Sequence, residues 1–499
     1  MKVAVIADLH LPDDPGTVKE DILHWTISAA VSCKAELIAG AGDLTALGTV
    51  SAARRIVQNL QDSKLPYILA PGNAELRTPA ETAQVMQILT TNNRCGAVVT
   101  VDSANGKLSM ESSRFLHELA ASSQRNLLLI THCPPAAWEK IDQESLDMLI
   151  DRRIISHVVY GHKHIDRYDE KFSCIRGLDP DKASGGPPAL VFFEQTADGS
   201  WHREDLPCPD ADVAGFPESV REKFLDSLGI SGMRTLEHNL ELATIQKLPV
   251  FEIRFSAEDD FPSDKLCRAM EIWRQNGGKY LSMHLVDLRF DGRDFSGMEM
   301  LKTAARSAVK LGCDGVTFHV PRGFSDELTK QENINTAAKI TSACLQTLFD
   351  HDVTVGVENL HTDPAEREEK RYKFGCTPDE CMLFINALRA LNPGKKIGLH
   401  LDIGHAANNA PFNNKFPLSS WYAAYGREIV AMHIHQVAED ENGKPVNHTG
   451  FNCFYGRRLS LASLAMARRQ GQIGKVPMIL ELRCPAEPSL EVLRKILMK

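Results

Sequence analysis

The chain reads as α/β throughout, in two domains, the second with the size and rhythm of a (β/α)8 barrel. Three observations predict this. Short apolar, strand-like runs alternate with amphipathic helical stretches over residues 1–205. The alternation restarts near residue 249 and gives seven strand-like runs before the C-terminus. The stretch between them, 206–248, has a different composition. A doubly wound sheet is the alternative for the second half.

In order, the first-half strands are KVAVIAD, AELIAGAGD, PYILAPGN, NLLLITH, HVVYGH and PALVFFEQ. All but the last end in a polar residue, namely Asp8, Asp43, Asn73, His132 and His162. This regularity puts polar side chains along one edge of a sheet. CPDADVAGFPE then suits a linker. The segment after it, SVREKFLDSLGISGMRTLEHNLELATIQKL, reads as helical with a break near Gly229–Gly232. The later strands are PVFEIRF, YLSMHLVDLRF, GVTFHVPRG, VTVGVENLH, IGLHLDIGHA, EIVAMHIHQ and PMILELR. Helical stretches such as FSGMEMLKTAARSAVKLG separate them. The expected domains are therefore 1–205, a linker with a helical segment at 206–248, and a barrel at 249–499.

With 499 residues and 43% hydrophobic content, the chain can bury more than one core. A net charge of −9 argues against a dedicated nucleic-acid binder. The 12 Cys are scattered singly, and Cys376 and Cys381 lack C-x-x-C spacing, so reduced thiols in a cytoplasmic protein are expected. No apolar run is long enough for a membrane span, and Asp8 and His10 interrupt any N-terminal signal sequence.

The polar strand ends of the first half collect Asp8-x-His10, Gly42-Asp43, Gly72-Asn73, His132 and Gly161-His162-x-His164. In an extended chain, residues two apart share a face, so each x-spaced pair points to one side. One such His more often hydrogen-bonds in a core. The ordered set of N and O donors suits two divalent transition ions, with Asp43 the natural bridge. Two close ions suit in-line phosphoryl displacement.

The series D-x-H, G-D, G-N, H, G-H-x-H resembles the calcineurin-like metallophosphoesterases over residues 1–205. That resemblance implies an αββα sandwich and two ions of Mn, Fe or Zn. It assigns Asp8, His10, Asp43 and His164 to one ion, and Asp43, Asn73, His132 and His162 to the other. The departure is Ala74. The family usually has G-N-H-[DE], with that His stabilising the transition state or protonating the leaving oxygen. General acid help is worth about 10²–10⁴ in rate, so the expectation is retained metal binding with slow or leaving-group-selective hydrolysis. His24 and Glu75 are the alternative proton donors.

The second half carries His284, His319, Glu358, Asp402, His405, His433, His435, His448 and Glu481 near strand ends. Two Glu, an Asp and a His from four strands make a mixed site for Mn, Zn, Co or Mg. Such an ion stabilises an enediolate while flanking Glu residues move a proton. The E-N, L-D-x-G-H-A, H-x-H and L-E motifs resemble the xylose isomerase-like barrels, which include sugar isomerases, epimerases and endonuclease IV.

The epimerase reading makes Glu358, Asp402, His435 and Glu481 the ligands. Glu358 and Glu481 double as the acid/base pair, His405 binds substrate, and His284, His319, Arg322 and His448 are further substrate contacts. Arg322 would meet a phosphate or carboxylate. The endonuclease reading adds His284, His319, His405 and His448 for a three-zinc cluster. That family has D-x-H where this chain has Val446-Asn447-His448, so the third zinc lacks its Asp. His284, His351 and His433, taken singly, can be structural.

The simplest combined function is a phosphoesterase that releases phosphate from a small molecule, fused to an isomerase or epimerase acting on its sugar or polyol part. The competing classes are a nucleic-acid repair protein that cuts phosphodiesters with both domains, and a regulatory protein that binds metal and nucleotide without turnover. The expected partners are small phosphorylated or sugar-like substrates, with no membrane; an oligomer and nucleic acid stay open.

Overall fold

The computed structural model describes all residues except 214–217, 234, 259–260, 454–457 and 499. The chain forms two compact units, residues 1–213 with 460–466, and residues 214–459 with 467–499.

The first unit holds two stacked sheets. One has five strands in the order Trp201–Pro207, Ala189–Gln195, Lys2–Ile6, Leu37–Ala41, Tyr67–Ala70. The other has six, in the order Arg94–Cys95, Val98–Thr100, Leu127–Thr131, Ile155–Tyr160, Phe172–Cys174, Arg167–Tyr168. Alternation along the strands explains the layering. Val3, Val5, Ile68 and Phe193 of one sheet meet Leu128, Ile130 and Val159 of the other. Leu127 and Leu129 face the opposite way, onto Leu116, Leu119, Leu146 and Leu149 of two helices, Met110–Ala120 and Lys140–Asp151. A strand covered on both faces must be apolar at every position, hence LLLI.

Lys2–Ile6, Leu37–Ala41 and Tyr67–Ala70 run parallel, as do Leu127–Thr131 and Ile155–Tyr160. Within each set the C-terminal ends share an edge. Ala189–Gln195 runs antiparallel to Lys2–Ile6 and ends at the opposite edge, which is why PALVFFEQ carries no site residue.

The second unit is a closed barrel of eight parallel strands: Leu228–Ser231, Val250–Arg254, Tyr280–His284, Gly315–His319, Thr354–Glu358, Ile397–Asp402, Ile429–Ile434 and Met478–Leu480. This corrects the expected organisation at one point. The helical break expected near Gly229–Gly232 is the first barrel strand, which pairs with both Val250–Arg254 and Met478–Leu480 and closes the barrel. Its four residues are too few for periodicity to separate a buried strand from a helix. Residues 214–217 and 234 of the expected linker lie outside the described residues. YLSMHLVDLRF is also not one strand: it ends at His284, and Arg289–Phe290 starts a hairpin with Phe295–Ser296. A second hairpin, Gln436–Glu439 with Pro445–Thr449, follows His435 and carries His448. Trp421 and Tyr422 are core residues of the helix Leu418–Tyr425.

Candidate metal centres

Asp8, His10, Asp43, His162 and His164 all have left-handed backbone, with φ of 51°, 49°, 52°, 69° and 48°. Such conformations cost about 1–3 kcal/mol each in non-glycine residues and persist only where the surroundings impose them. Backbone hydrogen bonds do so here. Asp8 N–H donates to Gly42 O at 3.0 Å and His10 N–H to Asp43 O at 3.0 Å, and His162 N–H donates to Asp8 Oδ2 at 3.0 Å. The loops are packed so closely that a Cβ on Gly72 would stand 2.3 Å from Asp43 Oδ1, and one on Gly161 2.5 Å from Asp8 Oδ2.

The seven polar residues converge in two groups. His132 Nδ1–H donates to Ala41 O at 2.9 Å, which turns Nε2 toward the other ligands. That nitrogen lies 3.0 Å from Asn73 Oδ1, 3.2 Å from His162 Nδ1 and 3.2 Å from Asp43 Oδ1. In the second group His10 Nε2 is 3.4 Å from His164 Nε2 and 3.7 Å from Asp43 Oδ2, and His164 Nε2 is 3.8 Å from Asp8 Oδ1. Asp43 thus turns one oxygen to each group.

Burial, then the charge of Lys182, pushes His10 and His164 well below the ordinary imidazole value, and burial, then His132, also lowers His162. Neutral imidazoles present lone pairs, the form a metal takes. Burial and the neighbouring Asp43 push Asp8 well up. Lone pairs facing lone pairs, with two carboxylates in mutual repulsion, is an arrangement that divalent cations satisfy. Cys133, which the sequence reading passed over, falls with His132 and His162 in one group whose ligand atoms lie within 4.8 Å. Burial pushes its thiol up, so it is the weaker donor.

Ala74 is fully buried, and its N–H donates to Asp43 Oδ1 at 2.7 Å. Glu75 is not placed as a substitute acid. One of its oxygens accepts from Asp43 N–H and Gly72 N–H at 3.0 and 2.7 Å, the other from Thr45 N–H and Oγ1–H, both at 2.9 Å. It clamps the Asp43 and Asn73 loops together. Burial and Asp43 push it up to about 7. His24 is exposed on the helix Val18–Ser32. A cavity of about 400 Å³ opens beside the Asn73–His162 group, lined by Leu76, Asn105, Cys133, Pro134 and Lys163.

In the barrel the same residue types are arranged differently. Three groups of ligand atoms, each within 4.8 Å, lie at its C-terminal end: His284, His319 and Glu358; Glu358, Asp402, His433 and Glu481; and His405, His435 and His448. Glu358 joins the first two, with Oε2 3.1 Å from His284 Nε2 and Oε1 3.0 Å from His433 Nδ1. Asp402 joins the last two groups. Its oxygens lie 3.0 and 3.2 Å from His435 Nε2, and Oδ2 is 3.4 Å from His405 Nδ1.

His433 has a carboxylate at each nitrogen, Glu252 Oε1 at 2.9 Å from Nε2 and Glu358 Oε1 at 3.0 Å from Nδ1, with Glu481 Oε2 3.6 Å away. Burial opposes its charge, but Glu252, Glu481 and Glu358 together raise it well above the ordinary value. Burial likewise opposes ionisation of Glu358, yet His319 and His433 hold it well below the carboxylate range. His319 Nδ1–H donates to Asp287 at 2.9 Å, and Arg322 Nε–H donates to the other Asp287 oxygen at 2.8 Å. This outer carboxylate leaves His319 Nε2 turned toward Glu358 Oε2, 3.5 Å away.

The structure places the remaining expected residues as follows. His433, which taken singly can be structural, joins the tight Glu358–Asp402–Glu481 group. His435 contacts Asp402, one of its expected co-ligands, and groups with His405 and His448. His284 touches Glu358 and is no isolated core residue. Arg322 is tied to Asp287 and His319. His351 is structural, its Nδ1 2.8 Å from Thr347 O. The sequence reading missed Glu252, Asp287 and Arg254, the last hydrogen-bonded to Glu481. The signal for Glu252 was present: a carboxylate in the middle of the apolar run VFEIR.

Residues 1–166 match the family model of calcineurin-like phosphoesterases, and residues 251–495 that of the xylose isomerase-like TIM barrels. A Fibrobacter succinogenes protein named "Probable cyclic nucleotide phosphodiesterase" is 24% identical over 147 residues, 27% of this chain and 57% of the relative's own length. Among solved structures, a dimetal phosphatase from Danio rerio is 12% identical, covering 42% of this chain and 98% of that one, with a TM-score of 0.31. Endonuclease IV from Thermus thermophilus is 16% identical, covering 55% and 99%, with a TM-score of 0.37. D-allulose 3-epimerase from Methylomonas sp. is 16% identical, covering 54% and 90%, with a TM-score of 0.38. Among the described residues no helix is long and apolar enough to cross a membrane. The chain joins a calcineurin-like phosphoesterase domain to a xylose isomerase-like TIM barrel.

Proposed function

We propose that the first domain hydrolyses phosphate esters at a dinuclear metal centre, selectively for good leaving groups. The observation that carries this is Asp43, whose two oxygens address two separate groups of imidazoles. Asp8, His10, Asp43 and His164 would hold one ion, and Asp43, Asn73, His132 and His162 the other. When bound, such ions supply Lewis acidity to a phosphoryl group and make water more acidic.

The chain's own residues set the rest. The Glu75 clamp orients Asp43 and Asn73, and the cavity beside Asn73 and His162 takes the organic part of the ester. Ala74 offers no side-chain proton, so the leaving oxygen departs as an anion. The test is hydrolysis by the Mn²⁺-loaded full-length protein of aryl and alkyl phosphate mono- and diesters. Rates that fall steeply as the leaving-group pKa rises support the reading, and flat rates overturn it. Ala74→His should flatten the dependence. The likeness to a probable cyclic nucleotide phosphodiesterase puts phosphodiesters first among the substrates to try.

For the barrel, the three ligand groups linked through Glu358 and Asp402 favour a polynuclear centre that cleaves a phosphoester, since one ion needs only one such group. A specific observation keeps the isomerase or epimerase reading as the second. Glu358 and Glu481 approach the same His433 nitrogen, which suits an acid/base pair on either side of a substrate carbon. Assaying metal-loaded Asp43→Asn protein isolates the barrel. Nicking of abasic-site DNA supports the first reading, and interconversion of ketose epimers supports the second.

A further inference from the structure

Arg322, expected from the sequence to meet a phosphate or carboxylate, is held within the barrel's own network. Its Nε–H donates to Asp287 Oδ2 at 2.8 Å, and its Nη2 lies 3.3 Å from His319 Nδ1. A different guanidinium stands beside the centre. Arg254 is the last residue of the strand Val250–Arg254 and pairs in register with His284, the end of the next strand. The chain just beyond it is fixed, because Phe255 N–H donates to His284 O at 2.9 Å. Residues two apart on a strand share a face. Glu252 turns inward, its Oε1 2.9 Å from His433 Nε2, so Arg254 turns inward as well, one layer nearer the C-terminal mouth of the barrel.

Its contact with Glu481 places it at the centre. The two oxygens of that carboxylate face different ways. Oε2 lies 3.2 Å from His448 Nδ1 and 3.6 Å from His433 Nδ1, and so addresses two of the ligand groups. Oε1 accepts from Arg254 Nη2–H. Arg254 is therefore one carboxylate away from the ligand groups and leaves free the oxygen that faces them. A guanidinium carries five N–H donors in a planar fork. Arg254 makes no hydrogen bond or ion pair other than that with Glu481 among the described residues, and its side chain is 41% exposed. Glu481 fixes one edge of the fork, and the remaining donors are left to the mouth.

We propose that Arg254 is the phosphate-binding residue of the barrel, its remaining N–H groups holding the non-bridging oxygens of a phosphoryl group seated against the Glu358–Asp402–Glu481 ligands. The assignment rests on the phosphoester reading of that centre. Paired N–H groups of a guanidinium match phosphate oxygens two at a time. Arginine keeps its charge at any physiological pH, so Arg254 supplies affinity and orientation and moves no proton.

The test uses full-length Asp43→Asn protein loaded with Mn²⁺, which isolates the barrel. Inorganic phosphate is the probe, affinity is read by calorimetry, and metal content is measured for every variant. Adding Arg254→Gln should weaken phosphate by about 10- to 100-fold, the worth of a charge-assisted hydrogen bond. Metal content should stay at the Asp43→Asn level, since an amide N–H still reaches Glu481 Oε1. Arg254→Lys keeps the charge without the fork and should fall between the two. Unchanged affinity in Arg254→Gln, or no phosphate binding by the Asp43→Asn protein, overturns the proposal. So does a loss of phosphate matched by a loss of metal, which would make Arg254 a support of Glu481 alone. Should Arg254→Gln fail to fold, Arg254→Lys decides, and affinity equal to that of Asp43→Asn overturns the proposal. Phosphate binding that depends on Arg254, with no phosphoester cleaved by the Asp43→Asn protein, would refute the phosphoester reading and leave the binding role standing. Cleavage with phosphate affinity indifferent to Arg254 would do the reverse.

Discussion

In the first centre His132 Nε2 faces Asn73, His162 and Asp43, whereas in the barrel His433 holds a carboxylate at each nitrogen. The side-chain types are the same, but the apo electrostatics are opposite. Burial and nearby cations keep His10, His162 and His164 neutral, and Asp8 and Asp43 are left repelling one another. In the barrel, carboxylates hold His284, His433 and His435 above the ordinary imidazole value against the cost of burial, and Glu358, Asp402 and Glu481 lie below theirs. One centre needs cations to be satisfied. The other satisfies itself with protons and must give them up to take cations.

The largest effect that would break this comparison comes from removing one carboxylate in each centre. Glu358→Gln strips His433 and His284 of a buried partner and should cost the metal-free protein about 3–5 kcal/mol in denaturant unfolding. Asp43→Asn relieves the repulsion on Asp8 and should leave metal-free stability within about 1 kcal/mol of wild type, while lowering the number of ions bound. Equal losses in the two variants would refute the contrast.

Protons give the next test. Neutral imidazoles release none on binding metal, so His10, His162 and His164 add no pH dependence at the first centre, and a proton released there comes from Asp8. Binding at the barrel must expel the His433 proton, so its affinity should rise with pH, with about one proton released per ion in calorimetry across buffers. The sign for stability is opposite. A raised imidazole value stabilises the folded metal-free barrel fully below the unfolded value of about 6.5, and that contribution is lost as pH rises through the folded value. A barrel whose metal-free melting temperature climbs from pH 6.5 to 8 would contradict the assignment.

Smaller effects probe the supports of each centre. Glu75→Gln turns an amide N–H toward backbone N–H donors and should cost about 1–3 kcal/mol. Asp287→Asn frees the orientation of His319 and should weaken barrel metal affinity by about 10-fold, the low end for such an outer partner. Ion affinity at the first centre should not respond to Asp287→Asn.

Much of this was legible in the sequence where chemistry sits at the end of a regular strand. Asp8, Asp43, Asn73, His132 and His162 follow parallel strands, and Gly before Asp43, Asn73 and His162 marks where loops pack against ligands. The barrel rhythm was legible over seven strands. The eighth, Leu228–Ser231, was hidden because four buried residues have no distinguishing period. The choice between His433 and His435 was hidden for a related reason. Both lie on one face of their strand, two residues apart, and only the neighbouring strands decide which height meets Glu358.

The sequence by itself determined the α/β class, the two-domain plan and the ordered ligand types, because these follow from local periodicity and strand-end spacing. Tertiary structure alone decided how charge is balanced. It brought Glu252 to His433, Asp287 to His319, and Glu75 to the Asp43 loop. Those pairs are far apart in sequence, and the protonation of a buried group depends on what the fold packs against it.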